Sequence, residues 1–246
     1  MGISINQVLV DNRWTAKPLR IVEVVGPAGA GKSTLSRVLS QRDERILVCD
    51  PPFVWSVLNF PFFTWHILQL APMLIRLSRN HGRKITRREI AWMATLNGWP
   101  QVLRRKASNK EKVIFLDQGP VFLLTLLYNF GPKSLQSSLA EKWWTAMYKQ
   151  WAATLDMIIW VDTSDEILID RIRSREQSHI MKDENTPQVV EFLAGYRAAY
   201  DQTIAKLTGQ TNHLKLIRLD TGRDTVDGIV QRILQQLGAN PVEVQG

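Results

Sequence analysis

Residues 26–34 carry the clearest chemical pattern in the sequence. The run matches G-x-x-x-x-G-K-[ST] and consists of Gly26, Pro27, Ala28, Gly29, Ala30, Gly31, Lys32, Ser33 and Thr34. Small residues at this spacing let backbone N–H groups surround the phosphates of a nucleotide, and the helix that follows offers its positive end. We therefore expect this loop to bind a nucleotide, with Lys32 reaching the β- and γ-phosphates and Ser33 ligating Mg²⁺.

Five short hydrophobic runs must position this loop. They cover residues 20–25, 45–49, 112–116, 157–161 and 214–219, and helical patterns lie between them, with one beginning at Lys32 directly after the loop. Short buried strands that alternate with helices form a parallel sheet covered on both faces. We predict the α/β fold of the P-loop NTPases, with a five-stranded parallel sheet and helices on both faces.

Aspartates stand where several of these strands end. Ligands of such sheets bind at the carboxyl ends of the strands, so Asp50, Asp117 and the pair Asp220-Thr221 are candidate site residues. Asp117 follows the third strand and is predicted to accept the proton of an acceptor hydroxyl or to hold Mg²⁺ through water. A capping role before Pro120 is the alternative for Asp117, and a turn is the alternative for Asp50.

Several classes of nucleotide-binding protein are disfavoured by missing motifs. A GTPase would carry D-x-x-G after the third strand and N-K-x-D before a late helix, whereas this chain has Asp117-Gln118-Gly119 and Asn109-Lys110-Glu111-Lys112. The chain is also short for an AAA-type or transporter ATPase and shows no signature of either. These observations alone leave the class of nucleotide-binding protein open.

The sequence resembles the group of P-loop kinases that contains thymidylate and deoxynucleoside kinases. The resemblance depends on Cys49-Asp50-Pro51-Pro52, on Asp117-Gln118-Gly119 in place of D-R-Y or E-R-S, on R-I-x-x-R in residues 171–175, and on the aromatic helix 192–200. It covers roughly residues 20–50, 112–120 and 157–238. It implies ATP-dependent phosphoryl transfer to a small-molecule acceptor, with Mg²⁺.

The resemblance also implies roles for individual residues. Arg171 and Arg175 correspond to lid arginines that clamp the phosphates, since residues four apart share one face of a helix. Asp220 and Thr221 occupy the place of the adenine-contacting loop. Asp50 and Gln118 occupy the place of residues that contact the acceptor. The family has an arginine where this chain has Gln118, which alters the acceptor motif.

The chain is predicted to form one domain over residues 1–246. No linker, repeat or low-complexity tract divides it. Residues 53–109 are expected to form a helical acceptor-binding insertion, with helices over 53–79 and 86–106. Residues 164–186 are expected to form the lid region.

The positive charge is concentrated in one segment. Residues 76–112 contain eleven Lys or Arg and two acids, a net +9, whereas 20 basic and 21 acidic residues elsewhere give −1. Six of the 21 aromatic residues lie directly before it, between Phe53 and Trp65. Core packing and a solvated basic face explain both features most simply. The arrangement also suits an anionic or amphiphilic acceptor, or peripheral contact with a membrane.

Composition limits the remaining possibilities. The single cysteine, Cys49, excludes an internal disulfide, and the four histidines are too scattered for a metal cluster. No signal peptide is recognised at the N-terminus, so a cytoplasmic protein is expected. A nucleic-acid partner is disfavoured and a homodimer is left open. Two alternatives remain: a polynucleotide kinase, and a nucleotide-dependent switch or membrane-associated ATPase that transfers no phosphate.

Overall fold

A five-stranded parallel sheet forms the centre of the computed structural model, which describes residues 20–52, 60–79, 83–106, 112–174 and 181–238. The strands are β1 (Arg20–Val25), β2 (Ile46–Cys49), β3 (Val113–Asp117), β4 (Met157–Asp162) and β5 (Lys215–Asp220). Their order across the sheet is β2-β3-β1-β4-β5. The central strand β1 is paired with β3 on one side and β4 on the other. The predicted fold class is confirmed, and each strand lies within one residue of its predicted position.

Eight α-helices cover the two faces of the sheet in the described part of the chain. They are α1 (Lys32–Arg42), α2 (Phe60–Ser78), α3 (Arg87–Lys106), α4 (Pro120–Thr125), α5 (Ser138–Thr154), α6 (Asp165–Arg173), α7 (Thr186–Thr208) and α8 (Val226–Gln236). Alternate residues of a strand point to opposite faces, which produces two cores. One core contains Ile21, Ile114 and Ile158 together with residues of α2, α3 and α5. The other contains Val22, Phe115 and Ile159 together with residues of α1 and α8.

Two predicted helices differ from the structure in the middle of the chain. The helix predicted over 121–129 is α4 followed by one turn of π-helix, Leu126–Phe130. Thr125 donates its hydroxyl to the Val121 carbonyl at 2.7 Å, and the Asn129 side-chain amide donates to the Thr125 carbonyl at 3.3 Å. Side chains that bond to helix carbonyls in this way bend a helix. The helix predicted over 135–155 begins later, because a 3₁₀ turn at Lys133–Gln136 precedes it and Ser137 is extended.

Two further predictions fall partly beyond the described residues. Residues 53–59 of the aromatic segment and residues 175–180 of the lid region, which include Arg175, lie outside the part that the structure describes. Within that part, α6 ends at Arg173 and α2 begins at Phe60. The single-domain assignment and the role of Arg175 therefore stay predictions.

Candidate phosphate-binding site

The glycine-rich loop joins β1 to α1 at the carboxyl edge of the sheet. Gly26 has φ 150°, in the region that favours glycine. A Cβ at this position would overlap the carbonyl oxygen of Val161 at the end of β4. The loop can therefore turn tightly over the sheet only with glycine at residue 26.

Lys32 lies at the first turn of α1 and points back across the loop. Its Nζ donates hydrogen bonds to the carbonyls of Gly26 and Pro27, both at 2.8 Å. The ammonium group is therefore held where the loop would enclose an anion, beside the N-terminus of a helix.

Ser33 and Asp117 meet at the other side of the loop. The Ser33 hydroxyl lies 3.3 Å from Asp117 Oδ2 and donates to it. Both groups are hard oxygen donors of the kind that Mg²⁺ prefers, and Mg²⁺ commonly takes only one or two protein ligands beside phosphates and water. The two residues predicted as metal ligands thus fit the group chemically. No cluster of three or more His, Cys, Asp or Glu suited to a metal occurs among the described residues.

The segment after β3 has an unusual backbone. Gln118 has φ 53°, the only positive φ among the non-glycine residues that the structure describes. Such conformations are held by surrounding structure and occur often at functional sites. Beside it, a Cβ on Gly119 would lie 2.5 Å from the Glu23 carboxyl carbon. Glycine at 119 therefore allows the segment to pack directly on a buried acid.

Glu23 was not among the residues predicted from the sequence. It lies in the middle of β1, is fully buried, and accepts hydrogen bonds from the backbone N–H groups of Val121 at 2.7 Å and Phe122 at 3.0 Å. Burial raises the pKa of Glu23 to about 8, against the lowering effect of these hydrogen bonds, and the charge of Asp117 adds to the rise. The carboxyl group fixes the start of α4, and with it the segment that carries Asp117. A single acid inside the run RIVEVV was the signal that could have identified it.

The raised pKa of Glu23 predicts how stability depends on pH. The folded state binds this proton more tightly than the unfolded state, whose pKa is near 4.5. The stabilisation that this proton contributes to the folded state is therefore complete below pH 4.5 and is lost as the pH rises through about 8. We therefore compare the free energy of unfolding of the wild type with that of Glu23→Gln, both measured with urea. As the pH rises through this window, the wild-type value should fall relative to that of the variant by up to about 1.4 kcal/mol per pH unit.

The control for this prediction is Glu141→Gln, which changes an exposed acid in the first turn of α5. Its stability relative to the wild type gives the effect of removing one exposed acid. A pH profile for Glu23→Gln that runs parallel to that of the wild type would show that Glu23 takes up no proton in this range.

One cavity, of about 250 Å³, opens between Lys32 and the aromatic side chains of α7. We call it the Asp117 cavity; its lining comprises Val24, Ala28, Lys32, Ser33, Asp117, Gln118, Phe122, Tyr196 and Tyr200. The two tyrosine rings lie 5.0 Å apart between centroids, and their hydroxyl oxygens are 3.3 Å apart. Burial raises the pKa of both tyrosines, so they are neutral at physiological pH. The cavity thus combines a cation and a carboxylate with an aromatic wall.

A second cavity, of about 300 Å³, lies on the opposite side of the loop. We call it the Arg171 cavity; its lining comprises Gly29, Gly31, Thr34, Leu35, Arg171, Ser174, Thr221, Asp224, Val226 and Ile229. Arg171 donates to the Gly29 carbonyl at 3.3 Å, to the Thr221 hydroxyl at 3.1 Å and to the Thr221 carbonyl at 3.1 Å. The guanidinium therefore joins the phosphate loop to the turn after β5.

Outside the glycine-rich loop, two of the predicted site residues that the structure describes line neither cavity. Asp50 is exposed directly after β2. Asp220 ends β5, where its carboxylate accepts the backbone N–H of Gly222 at 2.9 Å, and this hydrogen bond contributes most to lowering its pKa. Thr221, the other residue of that pair, does reach the Arg171 cavity. The structure therefore brings together Lys32, Ser33, Asp117 and Gln118 on one side of the loop, and Thr34, Arg171 and Thr221 on the other.

A cluster of charges is centred on Arg197. Arg197 of α7 donates to both carboxylate oxygens of Asp162, at 2.7 and 3.0 Å, to Asp165 at 2.5 Å and to the Thr163 carbonyl at 3.0 Å. Hydrogen bonding to Asp162 is the largest of the effects that raise the pKa of Arg197. This cluster connects the end of β4, the start of α6 and the middle of α7.

Comparisons with known proteins agree with this architecture. Residues 21–199 match a family model described as an AAA domain. The chain length and the lack of a short AAA signature disfavoured an AAA-type assignment. The family match, which extends from β1 to α7, corrects that expectation. No match was found among curated proteins.

Solved structures of two kinases are similar to the chain. Deoxyadenosine kinase from M. mycoides with bound dATP is 16% identical, with a TM-score of 0.46, and the alignment covers 89% of this chain and 99% of that one. Thymidylate kinase from Candida albicans is 11% identical, with a TM-score of 0.49, and the alignment covers 89% and 91% of the two chains.

Proposed function

Since the chain belongs to the AAA domain family, we propose that it is an ATP-dependent phosphotransferase that moves the γ-phosphate to a small-molecule acceptor. The observation that carries this proposal is the pair of cavities on opposite sides of one phosphate loop. A protein that only binds a nucleotide needs one of them, whereas a transferase needs a second space that reaches the end of the phosphate chain. The Asp117 cavity is such a space, because Lys32 and Ser33 are part of its lining.

The Arg171 cavity is assigned to the nucleoside part of ATP. It adjoins Gly29 and Gly31 of the loop, and it offers apolar side chains of α8 together with the Thr221 turn. Arg171 is held in place by its bonds to Gly29 and Thr221, so its guanidinium is oriented before any ligand enters. The phosphates would then follow the loop toward Lys32 and Ser33. Mg²⁺ bound by Ser33 and Asp117 would neutralise charge on the phosphate oxygens.

The Asp117 cavity is assigned to the acceptor. In the proposed reaction the acceptor hydroxyl or phosphate oxygen forms a bond to the γ-phosphorus as the bond to the bridging oxygen breaks and ADP leaves. Where the acceptor is a hydroxyl, its proton passes to the Asp117 carboxylate. Lys32 stabilises negative charge on the transferred group, and the aromatic wall of Tyr196, Tyr200 and Phe122 fits a planar or apolar part of the acceptor.

A panel of acceptors incubated with γ-labelled ATP tests the proposal. The panel contains nucleosides, nucleoside monophosphates and alcohols with an anionic head, and the expected result is label in one class of small molecule. Nucleotide-dependent association without ADP formation across the panel would instead indicate the non-catalytic switch. Transfer to oligonucleotides with a KM that rises steeply with salt would indicate a polynucleotide kinase.

The identity of residue 118 predicts acceptor preference. Gln118 lines the Asp117 cavity with a neutral amide where the related kinases place a guanidinium, which can bind an anionic oxygen by paired charged hydrogen bonds. We therefore expect thymidine monophosphate to be a poor acceptor. Gln118→Arg should tighten its binding to the complex with an ATP analogue by about tenfold to a hundredfold, measured by titration.

Thymidine is the matched ligand for this titration, because it lacks the phosphate and its affinity should not respond to the new arginine. Micromolar affinity of the wild type for thymidine monophosphate, with efficient formation of the diphosphate, would show that another cation already serves the acceptor phosphate.

A further inference from the structure

The outer face of α2 is apolar and exposed. Trp65, Leu68 and Ile75 keep 62%, 59% and 56% of their surface accessible, and the exposed Pro72 lies between the last two. Their spacing of three, four and three residues places all four on one side of the helix. The opposite side holds the buried residues, which are Phe63, His66, Leu70 and Leu77. The core therefore does not account for the outer stripe.

Exposed basic residues lie at the C-terminal end of this apolar face. Arg76 follows Trp65 by eleven residues, which is about three turns, and Arg79 lies just after the helix; both are exposed. The helix contains no acidic residue. Lys84, in the segment before α3, and Arg87, the first residue of α3, are exposed. The neighbouring acid Glu89 forms a salt bridge with Arg83 at 2.5 Å. The apolar stripe thus ends in a cluster of cations, and we call the two together the α2 face.

A small cavity adjoins the same end of the helix. It has a volume of about 290 Å³, and Ile75, Ile85 and Ile90 line it together with Arg83 and Lys84. Apolar walls beside basic groups suit a molecule with a hydrocarbon part and an anionic head.

We propose that the α2 face docks the protein onto an anionic lipid bilayer. Tryptophan and aliphatic side chains on one face of a helix enter the boundary between headgroups and acyl chains, and adjacent arginines bind anionic headgroups. The proposed contact is at the bilayer surface. None of the described helices is long and apolar enough to cross a membrane. This inference is independent of the proposed phosphotransfer, because none of its residues lines the Asp117 or Arg171 cavity.

The two other occupants of such a face are less suited to it. In a twofold interface between copies of this chain, each copy would bring Arg76 and Arg79 to the same contact with no acid on α2 to balance them. Nucleic acid would contact the arginines through its phosphates but would leave Trp65, Leu68 and Ile75 facing a charged backbone.

Cosedimentation of the full chain with vesicles tests the proposal. Phosphatidylcholine vesicles with one third phosphatidylglycerol should bind the protein, vesicles of phosphatidylcholine alone should bind it much more weakly, and high salt should reduce the difference. Trp65→Ser and Leu68→Ser should each weaken binding about tenfold, and Arg79→Gln about fivefold.

Val48→Ser and Arg37→Gln are the matched controls. Val48 is a 41% exposed apolar residue on the same sheet face as Ile46, which packs with α1, and Arg37 is an exposed arginine of α1. Both variants should bind as the wild type does. The proposal is overturned by equal binding to the two kinds of vesicle, by no binding to either, or by equal losses in the control variants. It is also overturned if Trp65→Ser converts a dimer of the wild type to a monomer in sedimentation without changing vesicle binding.

Discussion

Lys32→Ala is expected to lower kcat/KM for phosphoryl transfer by about a thousandfold or more while leaving the fold intact. The side chain removed is only partly buried and belongs to neither core, so the substitution leaves no cavity in the packing. What is lost is the ammonium group that the loop carbonyls of Gly26 and Pro27 hold beside the N-terminus of α1. Initial rates with γ-labelled ATP and the best acceptor of the panel measure the effect.

Lys149→Ala, at an exposed lysine of α5, is the control for the loss of one positive charge. It should keep the wild-type rate, and both variants should unfold at the wild-type denaturant concentration. Turnover within tenfold of the wild type in folded Lys32→Ala would refute the assignment of the loop to the transferred phosphate.

Asp117→Asn is expected to reduce kcat by about a hundredfold or more. The amide has nearly the volume of the carboxylate, but it can neither take the acceptor proton nor supply a negative ligand beside Ser33, whose hydroxyl lies 3.3 Å from Asp117 Oδ2. The loss should appear in kcat at saturating ATP and acceptor. The Mg²⁺ concentration required for half-maximal rate should also rise if Asp117 holds the metal.

Asp170→Asn changes an exposed aspartate of α6 and should leave both quantities unchanged. If Asp117→Asn keeps a near-normal kcat and Mg²⁺ dependence, Asp117 acts neither as the base nor as a metal ligand, and its role is limited to its contact with the Ser33 hydroxyl. The two quantities separate the catalytic base from the metal ligand, because only the second role moves the Mg²⁺ requirement.

The sheet and the phosphate loop could be predicted because their sequence signals are local. Runs such as RIVEVV are mainly apolar on both faces, which is typical of strands in a covered parallel sheet. Glycine at residue 26 fits the positive φ that the turn requires. The position of Asp117 at the same edge of the sheet as the glycine-rich loop could also be predicted, since parallel strands end at the same edge.

The features that were not predicted depend on contacts between distant segments. Glu23 binds backbone groups about a hundred residues away, and no pattern within β1 indicates that α4 begins above it. The positive φ of Gln118 is imposed by its neighbours and not by its side chain, which does not favour that conformation. Asp50 follows β2 and Asp220 ends β5, yet neither lines the Asp117 or the Arg171 cavity, because strand position determines the edge of the sheet but not the direction of a side chain.

The Arg197 cluster has a consequence for redesign of the acceptor side. Arg197 lies one residue after Tyr196 and three before Tyr200, so any segment exchanged into α7 to alter the aromatic wall also replaces or shifts this arginine. Its partners Asp162 and Asp165 hold the first turn of α6, the helix from which Arg171 reaches the phosphate loop. The Asp117 and Arg171 cavities therefore cannot be redesigned independently of each other. A replacement of this part of α7 that changes the choice of acceptor has to keep arginine at residue 197. Otherwise Asp162 and Asp165 must be replaced together with the arginine.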